Sequence, residues 1–168
     1  MITLDLEKIN DKYFVRRMTN KDVPTIYSLC KGNKFFYQCC GEETTPSRIE
    51  SDLTLLPSDT LPSQKYYLGF FDCEKLVAVI DLIIGYPDEK TAFIGFFMTD
   101  VSLQGKGEGT EIINQLSLYL RSLGIASIRL GVEKANPQAT HFWHKNGFIT
   151  LREINQNGSA LLYQEKIL

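Results

Sequence analysis

The chain has 168 residues, of which 43% are hydrophobic and 23% are charged, and its formal net charge is −2. A chain of this length can bury a sizeable core, so we expect one domain over residues 1–168, with residues 1–12 as an N-terminal extension. The small negative charge argues against nucleic acid as the main partner, and no apolar run approaches the ~20 residues of a membrane span.

Cysteine usage and the N-terminal sequence bear on the cellular compartment. The four cysteines show no C-x-x-C pair and no zinc-ligand spacing, which predicts free thiols and no metal site. The opening sequence MITLDLEK includes acidic side chains and no secretory pattern. We therefore expect a cytoplasmic protein. We interpret the vicinal Cys39 and Cys40 as small buried hydrophobic residues, with a redox-active pair as the alternative.

The first predicted elements are a strand and a helix. Apolar and aromatic residues predict a strand over Tyr13–Arg17. Thr19–Asp22 supplies capping residues, and Pro24 suits the first turn of a helix that ends near Gly32. The apolar positions of this helix share one face and are Ile26, Leu29 and Cys30.

Residues 33–64 have the least regular pattern in the chain. Lys34–Cys40 is rich in aromatic residues, which indicates either core packing or one wall of a substrate pocket, since loops often carry recognition. Thr45–Pro46 opens a further predicted helix that ends before Pro57. The apolar positions of that helix are Ile49, Leu53 and Leu56.

Three strands then follow, with short turns between them. Their apolar runs are Tyr66–Phe71, Lys75–Ile84 and Thr91–Thr99. Turns of a few residues connect antiparallel neighbours, because a parallel connection needs a crossover of about a dozen residues or more. The sequence therefore predicts an antiparallel meander of these three strands.

After the meander the pattern changes to a strand–helix–strand unit. A glycine-rich turn, Gln104–Thr110, leads into Glu111–Leu123, whose apolar residues recur at helical spacing, and Gly124 suits the position after the helix. Ala126–Val132 alternates as a strand. Because a helical crossover joins parallel strands, this strand is predicted to lie parallel to Thr91–Thr99.

The last predicted elements are a short helix and a hairpin. Asn136–Pro137 supplies a cap and a first-turn proline for a helix over Gln138–Asn146. Phe148–Glu153 and Leu161–Lys166 are strands, and the turn Asn155–Gly158 joins them. The elements together predict an α/β fold with a mixed, mostly antiparallel central sheet flanked by helices.

The turn between the third meander strand and the long helix carries the clearest functional signal. Glycines let a backbone approach a ligand closely, and free N–H groups at a helix N-terminus attract an anion, so we interpret the turn as a pyrophosphate site. The Walker A pattern G-x-x-x-x-G-K-[ST] is absent. The dinucleotide fingerprint fits poorly, because Thr110 stands where its third glycine is expected. A strand-to-helix connection without a ligand is the structural alternative.

Two motifs in the second half of the chain resemble one enzyme family. QGKGEG over Gln104–Gly109 is similar to the acetyl-CoA loop of the GCN5-related N-acetyltransferases (GNAT), whose pattern is Q/R-x-x-G-x-G/A. NPQATHFWHKNGF over Asn136–Phe148 is similar to the pattern N-x-x-A-x-x-[LF]-Y-x-x-x-G-F of the same family. The resemblance covers residues 13–166.

The resemblance implies an acyltransferase that uses acetyl-CoA as its co-substrate. The acetyl group would pass to a primary amine of a small molecule or a protein, by direct transfer through a tetrahedral intermediate. The resemblance also implies that the parallel strand pair splays apart around the cofactor, and it is compatible with a homodimer. A CoA-binding regulatory or sensor domain with weak or no catalysis is the alternative.

The same resemblance implies which residues contact the cofactor. Backbone groups at the end of the third meander strand would meet the pantetheine arm and the thioester carbonyl, where N–H donors form an oxyanion hole. The turn would hold the pyrophosphate, and Asn136 would reach the pantetheine or cap its own helix. The implied contacts are Phe97, Met98, Thr99, Gln104, Gly105, Lys106, Gly107, Glu108, Gly109, Thr110, Asn136 and Trp143.

The residues for proton transfer depart from the family pattern. The tyrosine that protonates the leaving thiolate in the family is Trp143 here, and an indole N–H does not act as an acid near neutral pH. The glutamate that some members carry five residues before the asparagine is Gly131 here. Glu133 and Asp100 are our candidates for the base that an attacking amine requires. Weaker candidates are Asp81, His141, His144, Tyr86 and the Tyr66–Tyr67 pair.

Overall fold

The computed structural model describes residues 2–168, which form a seven-stranded sheet with helices packed on it. The strands lie in the order β1-β2-β3-β4-β5-β7-β6, and each neighbouring pair is antiparallel except β4–β5. The predicted mixed, mostly antiparallel sheet is thereby confirmed. The strands are β1 Phe14–Arg17, β2 Lys65–Asp72, β3 Lys75–Ile84, β4 Thr91–Thr99, β5 Ser127–Glu133, β6 Ile149–Gln156 and β7 Ser159–Ile167.

Five α-helices connect these strands within residues 2–168. They are α1 Val23–Lys31, α2 Lys34–Cys40, α3 Pro46–Asp52, α4 Glu108–Ser122 and α5 Pro137–Lys145. The predicted meander β2–β3–β4, the helical crossover from β4 to β5 and the β6–β7 hairpin are confirmed. In the part of the chain that the structure describes, no helix is both long and apolar enough to cross a membrane.

Two predicted helix boundaries are wrong. Helix α3 was expected to continue until Pro57, but it ends at Asp52, and irregular turns follow it. Helix α4 was expected to begin at Glu111, but it begins at Glu108, because Gly107 in a left-handed conformation serves as its N-cap. Three residues of the glycine motif, Glu108–Thr110, are therefore helical.

Apolar cores lie on both faces of the sheet. The first core packs α4 and α5 against one face, with Ile112, Leu116 and Leu120 of α4 fully buried. The second core packs α1 and α3 against the opposite face, through Ile26 and Ile49 among others. Strand β3 contributes to both cores, which explains why its sequence is a continuous apolar run rather than an alternating one.

The N-terminal segment and helix α2, whose roles the sequence did not define, cover these cores. Residues 2–12, expected as an N-terminal extension, bury Leu4 and Ile9 in the first core, where the Leu4 N–H donates to the Tyr66 hydroxyl at 3.2 Å. Helix α2 holds no fully buried residue. Phe36 and Tyr37 lie half-buried over the second core, where the Phe36 ring packs edge-on against Phe96 at 5.7 Å, and Phe35 is exposed.

The parallel pair β4–β5 separates after four residue pairs. The register runs from Thr91–Ser127 to Ile94–Leu130 and then stops, although both strands continue. Gly95 and Gly131 are the next residues on the two strands, so neither strand places a side chain where they part. We call this opening the fork and define it by 95–99 of β4 and 131–133 of β5. The strand pairing therefore shows the predicted separation of the two parallel strands.

A paired carboxylate fastens β1 to the start of α1. Arg16 donates to Asp22 through Nη1 at 3.0 Å and Nη2 at 2.7 Å, while the Thr19 N–H and hydroxyl donate to Asp22 at 2.8 and 3.0 Å. The Arg16 guanidinium, followed by the Thr19 donors, lowers the pKa of Asp22 to about 2, against the opposing effect of burial. The ionised form of Asp22 therefore stabilises the folded state.

Asp22→Asn is expected to lower the free energy of unfolding by about 1–2 kcal/mol at neutral pH. Because folding lowers this pKa, the contribution is present above the unfolded pKa of about 3.9 and is lost as the pH falls toward about 2. Urea unfolding at several pH values measures the gap between variant and wild type, which should narrow in acid. Asp5→Asn, which changes a 51% exposed carboxylate that lies 3.1 Å from Lys8, is the control. A gap that is independent of pH would contradict the prediction.

Candidate active site

The turn between β4 and α4 has the geometry of an anion cradle. Gly105 and Gly107 have φ angles of 73° and 83°, in the left-handed region that only glycine adopts readily. A Cβ atom at either position would meet nothing within 4 Å, so the space above the turn is open. Glu108–Thr110 forms the first turn of α4, whose N–H groups have no acceptor inside the helix. These donors and the helix dipole favour a negatively charged group such as a pyrophosphate.

Gly109 has a different reason to be small. A Cβ atom there would lie 3.2 Å from Cε2 of Phe142 and 3.6 Å from Cε1 of Phe97. The rings of Phe97 and Phe142 are themselves stacked, with centroids 5.9 Å apart. The last glycine of the motif therefore lets α4 pack closely on aromatic residues of α5 and β4.

Glu108 brings a negative charge into the turn, and the N-terminal segment neutralises it. The Tyr13 hydroxyl and Lys12 Nζ each donate to the Glu108 carboxylate at 2.6 Å. The hydrogen bonds from Lys12 and then Tyr13 lower the pKa of Glu108, so the carboxylate stays ionised and paired. Lys12 and Tyr13 were missed in the sequence, because they lie more than ninety residues from Glu108 and carry no local motif.

Gln104 is held by another residue that the sequence did not reveal. Its amide Nε2 donates to Oδ1 of Asn33. Asn33 is buried, and its Nδ2 donates to Leu29 O at 3.1 Å and to Thr99 O at 3.2 Å. Asn33 therefore ties the turn to the end of α1 and to the end of β4. Gln104 anchors the turn through this hydrogen bond, and its contact with a cofactor stays a prediction.

The end of β4 presents peptide groups to the fork. The Asp100 N–H donates to Val77 O of β3 at 2.8 Å. Along an antiparallel strand, the N–H and C=O groups of successive residues point to opposite sides. Those of Met98 therefore also face β3, and the N–H groups of Phe97 and Thr99 face the fork. The N–H groups of Phe97 and Thr99 are thus the ones placed to meet a thioester carbonyl, while the Thr99 C=O accepts from Asn33 Nδ2. Met98, predicted with them, points its backbone the other way.

Trp143 and Asn136 have structural roles in α5. The Trp143 side chain is 7% exposed, and its ring packs against Phe97, Phe142 and Phe148 at centroid distances of 5.0–5.9 Å. The Asn136 side chain accepts from the Ala139 N–H at 3.0 Å and caps α5. Cofactor contacts of these two side chains stay predictions.

Asp100 is engaged as a capping residue. It accepts hydrogen bonds from the N–H and the hydroxyl of Ser102, and Lys75 lies 3.7 Å away. Burial acts to raise the pKa of Asp100, but the Ser102 hydrogen bonds and the Lys75 charge outweigh it and leave the pKa lowered. A carboxylate held in this way is a weak base, so the structure adds no support for a catalytic role of Asp100.

Glu133 ends β5 on the far side of the fork and lies half-buried. Side chains alternate along a strand, so Glu133 and Gly131 lie on the same face. Cys40, at the end of α2, is close enough that the Glu133 charge, after burial, helps to raise the pKa of the Cys40 thiol to about 11. The Cys40 thiol is therefore protonated at neutral pH, and both Cys39 and Cys40 are half-buried rather than buried as predicted.

The weaker candidates fall in separate places. His141 and His144 are exposed on α5, where His144 Nε2 lies 3.3 Å from the Thr150 hydroxyl. The Tyr86 ring packs edge-on against Phe93 at 5.6 Å, and Tyr66 and Tyr67 are buried. Asp81 is the exception, because its carboxylate lies beside Gly95 of the fork. Among residues 2–168, no group of three His, Cys, Asp or Glu side chains is arranged to hold a metal ion.

The comparison with protein families agrees with the glycine turn and the fork. The model of the acetyltransferase (GNAT) family matches residues 28–148, which is most of the chain. The chain belongs to the acetyltransferase (GNAT) family. This assignment confirms the resemblance inferred from the two motifs. No curated protein sequence matches the chain.

Solved structures share this GNAT fold over nearly the whole chain. An acetyltransferase from Thermus thermophilus is 22% identical, with 94% of this chain and 98% of that chain covered and a TM-score of 0.76. The PaiA N-acetyltransferase from Thermoplasma acidophilum, in complex with coenzyme A, is 18% identical, with 94% and 100% covered and a TM-score of 0.66. A spermidine N-acetyltransferase chimera from Vibrio cholerae and hSSAT is 20% identical, with 94% and 96% covered and a TM-score of 0.68.

Lys12→Ala is expected to weaken acetyl-CoA binding to this GNAT domain by about 3- to 10-fold. The substitution leaves the Glu108 charge beside the anion cradle with Tyr13 as its remaining hydrogen-bond partner, and like charges repel. Calorimetric titration at low and high salt measures the loss, which salt should reduce. Lys8→Ala removes an exposed lysine of the same segment, paired with Asp5, and should bind normally. Equal losses in both variants would contradict the specific role of Lys12.

Proposed function

We propose that this protein transfers the acetyl group of acetyl-CoA to a primary amine. The observation that carries the proposal is the continuity between the anion cradle at the start of α4 and the fork between β4 and β5. The cradle suits a pyrophosphate, and the fork lies beside it along the same strand. An extended thiol arm bound at the cradle would enter the fork with its thioester beside the peptide groups of Phe97 and Thr99.

The residues present fit acetyl-CoA as a co-substrate. The N–H groups of Glu108–Thr110 and the side chain of Lys106 would hold the pyrophosphate. Open space above Gly105 and Gly107 leaves room for the phosphate oxygens. The rings of Phe97 and Phe142 would form an apolar wall against the pantetheine. Acetyl-CoA supplies the activated acyl group, and the protein supplies position and polar contacts.

The transfer we propose is direct. An amine held in the fork attacks the thioester carbonyl, and the N–H groups of Phe97 and Thr99 stabilise the negative charge on the tetrahedral intermediate. Holding both reactants in one orientation supplies a large part of the rate, since well-oriented reactions reach effective molarities of about 10⁵ M and above. Trp143 supplies no proton, so the sulfur of CoA leaves as a thiolate.

The acceptor we propose is a primary amine of a small molecule or a protein. We further propose that the chain is a single domain and acts in the cytoplasm. The cysteines of the described residues are unpaired, and Cys73 is exposed, which fits a reducing compartment. A homodimer is the assembly that we would look for first, by sedimentation of the purified chain.

The test is turnover of acetyl-CoA with a panel of amines. Spermidine, an aminoglycoside, free amino acids and a peptide with a free N-terminus cover the acceptor classes, and release of the CoA thiol reports the reaction. We expect turnover with at least one amine, and an acetylated product of the corresponding mass. Binding of acetyl-CoA without turnover of any amine would contradict the proposal.

A CoA-binding sensor domain is the second candidate. The observation that favours it is Trp143, which replaces the tyrosine of the family pattern and is buried among aromatic rings. A sensor would bind acetyl-CoA and CoA with different affinities and would consume neither. Calorimetric titration with the two ligands, run beside the turnover panel, separates the sensor from the enzyme.

A further inference from the structure

One carboxylate lies inside β3, a strand that is otherwise apolar from Leu76 onward. The Asp81 side chain is 13% exposed, and the side chain of its partner Lys65 on β2 is 5% exposed. Lys65 Nζ donates to both carboxylate oxygens of Asp81 at 2.9 Å and to Leu55 O at 2.7 Å. Removing two charges from water costs about as much as their attraction returns, so stability alone does not account for this pair.

The Asp81 carboxylate lies against the fork. The register pairs Asp81 with Phe96 and Leu82 with Ile94, so Gly95 is the extra residue of a bulge in β4. A Cβ atom at Gly95 would lie 2.9 Å from Asp81 Oδ2. Gly95 is exposed, although Asp81 is mostly buried. The missing side chain at Gly95 therefore leaves Asp81 Oδ2 accessible from the fork.

Strand β5, on the other side of the fork, also leaves open space, at Gly131. Gly131 is the first residue of β5 beyond the last pair, Ile94–Leu130. It is exposed, and a Cβ atom there would meet nothing within 4 Å. Paired residues point to the same face of a sheet, so Phe96 lies beside Asp81 on that face. The gap between the two glycines thus has a carboxylate and an aromatic ring at its border.

The other carboxylates near the fork are less well placed. Asp100 is occupied by Ser102 and Lys75. Glu133 lies two residues beyond Gly131 on a strand that diverges from β4, which adds about 7 Å along β5. Asp81, by contrast, is paired across the sheet with Phe96. Phe96 directly precedes Phe97, whose N–H faces the fork, so Asp81 lies close to the predicted position of the thioester.

We propose that the Asp81 carboxylate binds the ammonium group of the acceptor and accepts its proton, with Lys65 as the positioning residue. The inference rests on the proposed function, because it assigns the base for the same transfer. Lys65 holds both oxygens in place through one ammonium group, and its third hydrogen bond to Leu55 O prevents the lysine from swinging away. The acceptor's charged nitrogen enters between Gly95 and Gly131.

Each acetyl transfer takes two protons from the acceptor nitrogen. The acceptor ammonium loses one proton to Asp81, which passes it to solvent. The neutral nitrogen forms a C–N bond with the thioester carbon, and the carbonyl electrons move onto oxygen. As the intermediate collapses, the C–S bond breaks, the carbonyl re-forms and CoA leaves as a thiolate. The nitrogen loses a second proton, which the thiolate takes up, so an amide, CoA thiol and one released proton result.

The pH dependence depends on the groups that face Asp81. These are Lys65 and Tyr67 on β2 and Asp52 on α3. Burial raises the pKa of Asp81 above its ordinary value, and the Lys65 hydrogen bond and charge oppose part of that rise. Only the carboxylate accepts a proton, so kcat/KM should fall as the pH drops through this raised pKa.

The first experiment compares wild type with Asp81→Asn, using the fastest amine of the turnover panel. We expect kcat/KM to fall by about 100-fold or more and its acidic limb to disappear, while the Kd of acetyl-CoA stays within about twofold. Glu133→Gln should keep the acidic limb. An unchanged pH profile in Asp81→Asn would overturn the assignment, as would loss of the acidic limb in Glu133→Gln.

A second pair of variants keeps both charged residues, Lys65 and Asp81, in case Asp81→Asn does not fold. Gly95→Ala places a methyl group against Asp81 Oδ2, and Gly131→Ala places the same group in open space. We expect the loss of kcat/KM in Gly95→Ala to exceed that in Gly131→Ala by about tenfold or more. Equal losses would overturn the access of the amine to Asp81 beside Gly95.

A rescue variant distinguishes a catalytic role of the Asp81 carboxylate from a purely structural one. Gly131→Glu in the Asp81→Asn background supplies a carboxylate from the opposite side of the gap, where the structure has room for it. Because some family members carry a glutamate at this position, Gly131→Glu in the wild-type background is the control. We expect about tenfold recovery of kcat/KM and a restored acidic limb in the double variant, and no comparable gain in the wild-type background. Equal gains in both backgrounds would count against Asp81 as the base. No recovery in a folded double variant would count against Asp81 as the base.

Failure of the proposed function has a different signature. If wild type binds acetyl-CoA but acetylates no amine, calorimetric titration of spermidine and of benzylamine into the CoA complex still tests the ammonium site. Binding that Asp81→Asn weakens by about tenfold or more would support the site in a non-catalytic domain. Equal binding in both proteins, or no binding to wild type, would overturn it.

Discussion

Gly107→Glu is expected to abolish acetyl-CoA binding, with an affinity loss of about 100-fold or more, equivalent to ~2.8 kcal/mol. The new carboxylate would project from the N-cap of α4 into the open space of the anion cradle. There it would repel the pyrophosphate and occupy the N–H groups that the pyrophosphate needs. Calorimetric titration with acetyl-CoA measures the loss, and unchanged affinity would contradict the location of the phosphate site.

The other end of the same helix offers the matched control. Gly124 follows α4 with a φ of 85°, close to the 83° of Gly107, and a Cβ atom at either glycine would meet nothing within 4 Å. Gly124→Glu therefore carries the same backbone strain, about 1–2 kcal/mol, without placing a charge in the cradle. It should lose stability and keep its affinity for acetyl-CoA. Equal affinity losses in both variants would point to helix strain rather than to the cradle.

Lys65→Met is expected to lower the free energy of unfolding by about 3–5 kcal/mol at neutral pH. The variant leaves Asp81 as a buried carboxylate without its counter-ion. The pKa of Asp81 is already raised by burial, and losing Lys65 raises it further. As the pH falls below that pKa, the carboxyl becomes neutral and the destabilisation shrinks. Urea unfolding across the pH range measures both the size and the direction of this effect.

A lysine on the neighbouring strand supplies the control for charge removal. Lys75, at the start of β3, is 60% exposed and lies 3.7 Å from Asp100. Lys75→Met should change stability by less than about 0.5 kcal/mol, as for most surface pairs. The double variant Lys65→Met with Asp81→Leu should recover most of the loss. A loss in Lys65→Met no greater than that in Lys75→Met would mean that the buried pair does not form.

The strands of the meander were predictable because their signals are local. The runs over Lys75–Ile84 and Thr91–Thr99 match β3 and β4, and short turns between them permit only antiparallel pairing. Residues 33–64 were harder to predict, since their helices are short and most of their apolar residues, apart from Ile49, are only partly buried or exposed. Helix α3 ends at Asp52 although Leu53 and Leu56 continue the helical spacing, so periodicity alone did not set its end.

The cofactor side of the site was more predictable than the acceptor side. Glycines at 105 and 107 before an amphipathic helix indicate an anion site, since both the turn and the helix N-terminus depend on neighbouring residues. The base was not predictable in this way. Asp81 was one of several weak candidates, because its approach to Gly95 depends on a bulge that appears only when β3 and β4 are paired.

By itself, the sequence determined the order of strands and helices, the glycine turn and the family to which the chain belongs. These depend on residues close together in the chain, where periodicity, capping and turn preferences act. The tertiary structure decided which peptide groups of β4 face the fork, that Lys12 and Tyr13 neutralise Glu108, and that Asp81 borders the gap. These depend on contacts between distant segments, which only the folded chain brings within hydrogen-bonding distance.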